Sequence, residues 1–167
     1  MRDLIVENGF LCAGAFVARC AVGRAGIVRA ESKREGDGAT PAGRFPLREG
    51  FFRADRVTAA SPLAFRAIAP DMWWDDDPAS RAYNTLRSGA PADHPERLWR
   101  DDGVYDWIVP LGWNDSPPVP GKGSAIFLHA ARPDFAPTAG CVAIAAADWP
   151  RLLPYLTLET RIDIRAG

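Results

Sequence analysis

Two residues, His129 and Cys141, have the types and the spacing needed for acyl transfer. They are twelve residues apart, within the stretch from Ser124 to Ile144. His129 ends one apolar run, and a Thr-x-Gly-Cys turn opens a second. Two strands joined by a loop would bring the thiol and the imidazole together at adjacent strand ends. Because a cysteine reacts as its thiolate, and a nearby imidazole is the usual base that generates it, the pattern predicts a nucleophilic cysteine–histidine pair.

The turn before Cys141 supplies further groups for this chemistry. Gly140 permits a tight turn and a close backbone approach. The amides of Gly140 and Cys141 are the expected donors to the oxyanion that forms when a thiolate attacks a carbonyl. Thr138 is expected either to orient the turn or to bind the substrate through its hydroxyl group.

His129 also needs a hydrogen-bond partner that fixes its tautomer. The backbone carbonyl of Ala130 and the carboxylate of Asp134 are the two candidates. From the residues alone, the alternative to a catalytic pair is a buried structural Cys141 and a His129 satisfied at a strand end. His94, the only other histidine, lies in a loop rich in proline, alanine and glycine and is expected to be an uninvolved surface residue.

The composition is ordinary for a globular protein and excludes several classes of function. The chain has 167 residues, 47% of them hydrophobic and 25% charged, which is enough for a core of its own. A net charge of -1 gives no reason to expect nucleic acid or an anionic membrane as a partner. No apolar run approaches the roughly 20 residues that span a bilayer. The N-terminus contains no signal-peptide core, so the expected location is the cytoplasm, or the periplasm if the true gene start encodes an export signal.

The three cysteines are an odd number without CxxC spacing, which argues against a disulfide framework and against a zinc ribbon. Cys12 and Cys20 are expected to be small buried residues of early strands. The aspartates at 75–77 do not fit an EF-hand loop, because the sixth position is not glycine and the twelfth, Leu86, is not glutamate. They are expected to cap turns. No metal or cofactor is predicted.

Hydrophobic alternation and turn residues predict a single mainly β domain over residues 1–167, with long loops and one or two short helices. Asn8-Gly9 suits a type I′ turn between two short strands. Strands are also predicted over 104–111 and, half-buried, at the C-terminal end of the chain. The segment 96–102 is predicted to form one or two helical turns, and 148–156 a short helix with proline in its first turn.

A resemblance to a known family adds to this interpretation. His129 followed by Thr138-Ala-Gly140-Cys141-Val142 resembles the signature of the L,D-transpeptidase (YkuD) catalytic domain family. The segment 33–45 is similar to the glycine and Thr-Pro segment that precedes the core of this family. Segments 73–84, 105–106 and 123–129 are similar to a small single-domain branch that resembles cytoplasmic L,D-carboxypeptidases. Ala139 and Ala143 occupy positions at which many members carry histidine and asparagine or arginine.

The resemblance implies a mixed β-sandwich and an enzyme that acts on peptidoglycan stem peptides or muropeptides. It makes Cys141 the nucleophile, His129 the base and Thr138 the small hydroxyl residue of the signature, with Gly140 and Cys141 forming the oxyanion hole. Family members form a thioester at the diamino acid of a tetrapeptide and release the terminal D-alanine.

The substrate contacts are predicted from the loops. Lys33, Arg34 and Arg44 are candidate cations for the terminal carboxylate, and Asp75 or Asn84 is a candidate partner for the diamino-acid side chain. Trp73 and Trp74 are adjacent, so they are not expected to point inward together from a strand, and the pair could wall a cleft.

Three functions remain open from the sequence. Water as the acyl acceptor gives an L,D-carboxypeptidase of muropeptide recycling, which is the favoured hypothesis. An amine as the acceptor gives an L,D-transpeptidase that cross-links the cell wall. The third possibility is a catalytically silent muropeptide-binding module.

Overall fold

The computed structural model describes residues 3–91, 93 and 95–167, most of which form short β-strands and the loops between them. The early strands are β1 (Leu4–Glu7), β2 (Phe10–Ala13), β3 (Phe16–Ala21), β4 (Ile27–Val28), β5 (Thr40–Pro41), β6 (Gly43–Pro46), β7 (Gly50–Phe52) and β8 (Phe65–Ala67). The later strands are β9 (Met72–Asp75), β10 (Thr85–Ser88), β11 (Glu96–Arg97), β12 (Trp107–Pro110), β13 (Phe127–Ala130), β14 (Val142–Ile144) and β15 (Arg161–Ile164).

These strands form one large mixed sheet and two small sheets. The large sheet has ten strands in the order β6-β15-β1-β2-β3-β14-β13-β12-β7-β8. A three-stranded antiparallel sheet has the order β10-β9-β11, and β4 pairs with β5. The predicted mainly β fold is confirmed, and so is the hairpin at its start. Asn8 and Gly9 both have positive φ, 51° and 79°, as a type I′ turn requires.

The large sheet curls, and its strands bury side chains on both faces. The main core contains residues from both halves of the sheet, including Val6 of β1 and Leu128 of β13. On the opposite face, Ile108 and Phe127 belong to a second core. Trp74 of the three-stranded sheet packs edge-on against Phe127 there, with ring centroids 5.1 Å apart. Because successive side chains of a strand point to opposite faces, β12 and β13 are buried along their whole length.

The one α-helix of the described residues, α1 (Trp149–Leu152), lies within the predicted segment 148–156 and is flanked by 3₁₀ turns. Trp149 is fully buried and stacks on Trp107 of β12, with ring centroids 5.6 Å apart. The helix predicted over 96–102 is wrong: Glu96–Arg97 forms β11 and pairs with β9. The segment pairs with the edge of β9 instead of forming a helix. The local sequence does not show that this edge lies within hydrogen-bonding reach.

The helices of the structure bear on the prediction that no apolar run spans a bilayer. Among the described residues, no helix has both the length and the apolar character needed to cross a bilayer.

The loops that approach β14 are packed backbone to backbone. Thr40, which is fully buried, accepts a hydrogen bond from the Gly23 amide at 2.8 Å and donates one to the Gly140 carbonyl at 2.8 Å. A Cβ atom on Gly23 would lie 2.4 Å from the Gly38 carbonyl oxygen. Three segments therefore form one tightly packed unit: the turn after β3, the loop that contains Gly38 and Thr40, and the turn before Cys141.

We expect Gly23→Ala to lower the free energy of unfolding by about 2–4 kcal/mol, because a backbone atom cannot yield as a flexible side chain would. Urea denaturation would measure the loss. Gly121→Ala is the matched control, because its added Cβ meets nothing within 4 Å. Its φ of +79° is strained for alanine, so the free energy of unfolding should fall by about 1 kcal/mol. Equal losses in the two variants would contradict the packing argument.

Candidate active site

The parallel pair β13–β14 places His129 and Cys141 on one face of the large sheet. His129 is opposite Ala143 in the register, and Cys141 precedes Ala143 by two residues, so the three side chains point the same way. His129 and Cys141 both line a cleft of about 420 Å³. Their side chains are nevertheless buried, with exposed fractions of 6% and 8%.

The hydrogen bond of His129 settles which ring nitrogen carries the proton. Nδ1 lies 2.8 Å from the backbone carbonyl oxygen of Ala130. A carbonyl only accepts, so Nδ1 donates, and Nε2 of the neutral ring keeps a free lone pair. The second candidate, Asp134, instead accepts a hydrogen bond from the Ala136 amide. Tyr105 packs against the imidazole with ring centroids 5.3 Å apart, and its hydroxyl donates to Glu96.

Burial keeps both members of the pair uncharged at neutral pH. It lowers the pKa of His129 to about 4, although the hydrogen bond to Ala130 shifts this pKa in the opposite direction. It raises the pKa of the Cys141 thiol to about 12, although the Phe127 amide opposes this shift. The resting pair is therefore a thiol and a neutral imidazole rather than a thiolate and an imidazolium.

The turn before the nucleophile is held by Thr138. Its hydroxyl donates to the Cys141 carbonyl at 2.7 Å and accepts from the Gly140 amide at 3.0 Å. Gly140 has φ of +144°, and a Cβ there would lie 2.8 Å from the Ala39 carbonyl oxygen. Glycine is thus required, as predicted, and Thr138 orients the turn. The Gly140 amide is already bonded, which corrects the expectation that it is free for an oxyanion and leaves the Cys141 amide as the candidate donor.

The structure separates the cations that were predicted to bind the substrate carboxylate. Lys33 lines the cleft but is 2% exposed, and its ammonium group donates to Asp37 at 2.8 Å and to the Arg34 carbonyl at 2.6 Å. Arg44 is wrong as a cleft residue. It lies on the edge strand β6, where its exposed guanidinium pairs with Asp3 at 2.7 Å.

The other predicted substrate contacts do not line the cleft, and these include Trp73, Trp74 and Asn84. The two tryptophans occupy opposite faces of β9, because adjacent strand residues alternate: Trp73 is buried and Trp74 half-buried. Asn84 is buried and uses its side-chain amide to bond protein groups. Asp75 and Asp77 cap turns, as predicted: Asp75 accepts from the Asp77 amide and from Ser80, and Asp77 accepts from the Ala79 amide. Asp76 instead lines the cleft. His94 lies outside the described residues.

The cleft contains charged residues that the sequence did not single out. Its cations besides Lys33 are Arg24, Arg100 and Arg132, and its carboxylates are Glu35, Asp76 and Glu96. Burial and then the nearby Glu96 raise the pKa of Asp76 to about 6. Glu35 and Asp76 lie within segments 33–45 and 73–84, which the family resemblance covered. The other four charged residues lie outside every such segment: Arg24, Glu96, Arg100 and Arg132. The described residues contain no group of three or more side chains arranged to hold a metal ion.

The lowered pKa of His129 predicts a specific loss of stability in acid. The unfolded chain takes up a proton near pH 6.5, whereas the folded protein resists until about pH 4. The stabilisation is therefore complete above pH 6.5 and lost as the pH falls to 4, by about 3 kcal/mol in total. Asp76, whose raised pKa of about 6 adds stability as the pH falls through the same range, is present in both proteins. The loss should therefore appear as the difference between the parent protein and His129→Gln in urea denaturation across this range. Parallel pH profiles for the two proteins would refute a buried neutral imidazole.

Comparison with known proteins agrees with the geometry of this site. The family model described as the L,D-transpeptidase catalytic domain, YkuD, matches residues 4–164. Searches of curated proteins and of solved structures gave no match. Members of the matched family are cysteine-dependent enzymes that modify peptidoglycan and act on its stem peptides. With nearly its whole length matched, the chain belongs to the YkuD L,D-transpeptidase catalytic domain family.

Proposed function

We propose that the protein is an L,D-carboxypeptidase that removes the terminal D-alanine from peptidoglycan tetrapeptides through a cysteine acyl-enzyme. The observation that carries the proposal is the pairing in one cleft of Cys141 with a neutral His129 whose Nε2 can accept a proton. The remaining groups are assigned by their positions around this pair.

In the first half-reaction, substrate binding excludes water and His129 Nε2 takes the proton of the Cys141 thiol. The sulfur forms a bond to the carbonyl carbon of the diamino acid, and the electron pair of the C=O bond moves to oxygen. The Cys141 amide donates to this oxyanion. When the C–N bond breaks, His129 returns its proton to the departing amine of D-alanine, which leaves a thioester on Cys141.

In the second half-reaction, water takes the place of the leaving group. His129 Nε2 accepts one proton from the water, and the hydroxide oxygen bonds to the thioester carbon. Collapse of this intermediate breaks the C–S bond, and the proton held by His129 returns to the sulfur. The products are the tripeptide and the original thiol.

The charged lining supports binding of a peptide that carries both signs of charge. Arg24 at the cleft mouth and the partly engaged Lys33 are the candidate contacts for a carboxylate. Glu35, Asp76 and Glu96 face the same cleft and favour an ammonium group such as that of a diamino acid.

Two features of the lining bear on the acyl acceptor. Ala139 and Ala143 both line the cleft, and their methyl groups offer no hydrogen bond to a second peptide, which supports water. The three carboxylates favour the competing candidate, transpeptidation, because they attract the ammonium group of an incoming stem. The silent binding module loses its main support, since Trp73 and Trp74 lie outside the cleft lining.

We expect free tetrapeptide to be converted to tripeptide and D-alanine, with little cross-linked dimer when a second stem with a free amine is added. Mass spectrometry of the products after parallel incubations would measure the partition. Abundant dimer with little tripeptide would reject hydrolysis and establish the transferase.

The nucleophile can be tested independently of the acceptor. Cys141→Ala should abolish D-alanine release, because no thioester can form, while Cys12→Ala, a change outside the cleft lining, should retain the activity of the parent. A thioester adduct on Cys141 in intact-protein mass spectrometry would support the assignment. Full activity of Cys141→Ala would remove it.

A further inference from the structure

The segment 123–125 lies directly against the nucleophile. The Cys141 thiol donates to the carbonyl oxygen of Ala125 at 3.2 Å, and its sulfur accepts from the Phe127 amide at 3.4 Å. Ala125 has φ of +52°, in the left-handed region that residues with a Cβ rarely adopt. A contact outside the segment must therefore hold this residue in place.

Asn84 makes that contact. Its Oδ1 accepts from the Ala125 amide at 3.0 Å and from the Trp74 indole at 2.9 Å. Its Nδ2 donates to the carbonyls of Trp113 at 3.1 Å and Asn114 at 2.8 Å. A carboxamide offers two lone pairs and two hydrogens, so the bonding capacity of Asn84 is full. This buried side chain joins three loops at one point.

The neighbouring residue, Tyr83, holds the same segment from its other end. Its hydroxyl accepts from the Gly123 amide at 3.0 Å and donates to Glu35. The hydroxyl of Ser124 also donates to Glu35, at 2.7 Å. Tyr83 and Asn84 thus hold the two ends of the segment 123–125, whose last carbonyl accepts from the thiol.

We propose that Asn84 is a positioning residue for Cys141: by fixing the Ala125 carbonyl, it holds the nucleophile as an oriented, protonated thiol until substrate reaches the cleft. The proposal deepens the proposed function and rests on it for the consequence in turnover. Its consequence for the resting thiol does not require any peptide substrate.

The physical argument predicts opposite changes in two rates. A carbonyl held against the sulfur favours S–H and disfavours the thiolate, in the same direction as burial, which raises the pKa of Cys141 to about 12. Releasing Ala125 removes that carbonyl and admits water, so thiolate becomes more abundant at neutral pH. The sulfur also loses its fixed position, so the attack on a bound peptide slows.

Asn84→Gly is the variant of choice, because glycine keeps the positive φ of Asn84, 59°, and removes only the amide. Iodoacetamide alkylation, followed at Cys141 by peptide mass spectrometry across pH, should be at least tenfold faster at pH 7 than in the parent. The kcat for D-alanine release should fall at least tenfold, with KM within about threefold. Asn84→Asp, which keeps an oxygen for the Ala125 amide, should lie between the two proteins.

Asn8→Gly is the matched control. Asn8 also has positive φ, 51°, and it lies in the exposed turn between β1 and β2, outside the cleft lining and away from the segment 123–125. Its alkylation profile should match that of the parent. The proposal is overturned if alkylation in Asn84→Gly is unchanged, or if alkylation and turnover fall together, as general loosening would produce.

Two further results keep the test decisive. If circular dichroism shows that Asn84→Gly does not fold, Asn84→Ala, which removes the same amide, carries the comparison: faster alkylation with slower turnover supports the proposal, and an unchanged profile overturns it. If the parent protein releases no D-alanine, the proposed function fails, while the alkylation comparison still decides whether Asn84 controls the thiol.

Discussion

In the middle of the ten-stranded sheet, β13 and β14 pair in parallel with Leu128 opposite Val142 and His129 opposite Ala143. A slip of one residue would turn Cys141 and His129 to different faces, because side chains alternate along a strand. The register is fixed by burial on both sides: Leu128 and Val142 enter the main core, and Phe127 enters the core under the three-stranded sheet. The shared face of His129 and Cys141 is thus a consequence of hydrophobic packing.

The same packing determines the electrostatic state of the pair. In water an imidazole titrates near pH 6.5 and a thiol near 8.5, so both charged forms are accessible within about two pH units of neutrality. Here desolvation disfavours both charged forms. The site therefore holds a neutral imidazole and a neutral thiol in the same cleft. Because the thiolate is the reactive form of cysteine, a buried neutral thiol reacts slowly with electrophiles from solution.

Buried and half-buried polar side chains connect the loops to this centre, and each of them satisfies several backbone groups. Thr40 joins Gly23 to Gly140, Thr138 closes the turn before Cys141, and Asn84 joins Ala125 to two other loops. Buried polar networks rigidify a structure when every member is satisfied. The long loops of this protein are consequently ordered by a few hydrogen-bonding residues rather than by an extensive apolar core of their own.

The sequence by itself determined the mainly β class, the Asn8-Gly9 hairpin, the short C-terminal helix and the pair His129 and Cys141, because these depend on local turn chemistry, periodicity and a short motif. Only the tertiary structure decided which polar residues face the cleft. Asn84 and Arg44 have suitable side chains for a substrate, yet one is saturated by loop carbonyls and amides and the other lies on an edge strand. Arg24, Asp76 and Glu96 reach the cleft instead, through packing of loops distant in the chain. Side-chain chemistry is local, whereas access to a site depends on contacts that the local sequence does not encode.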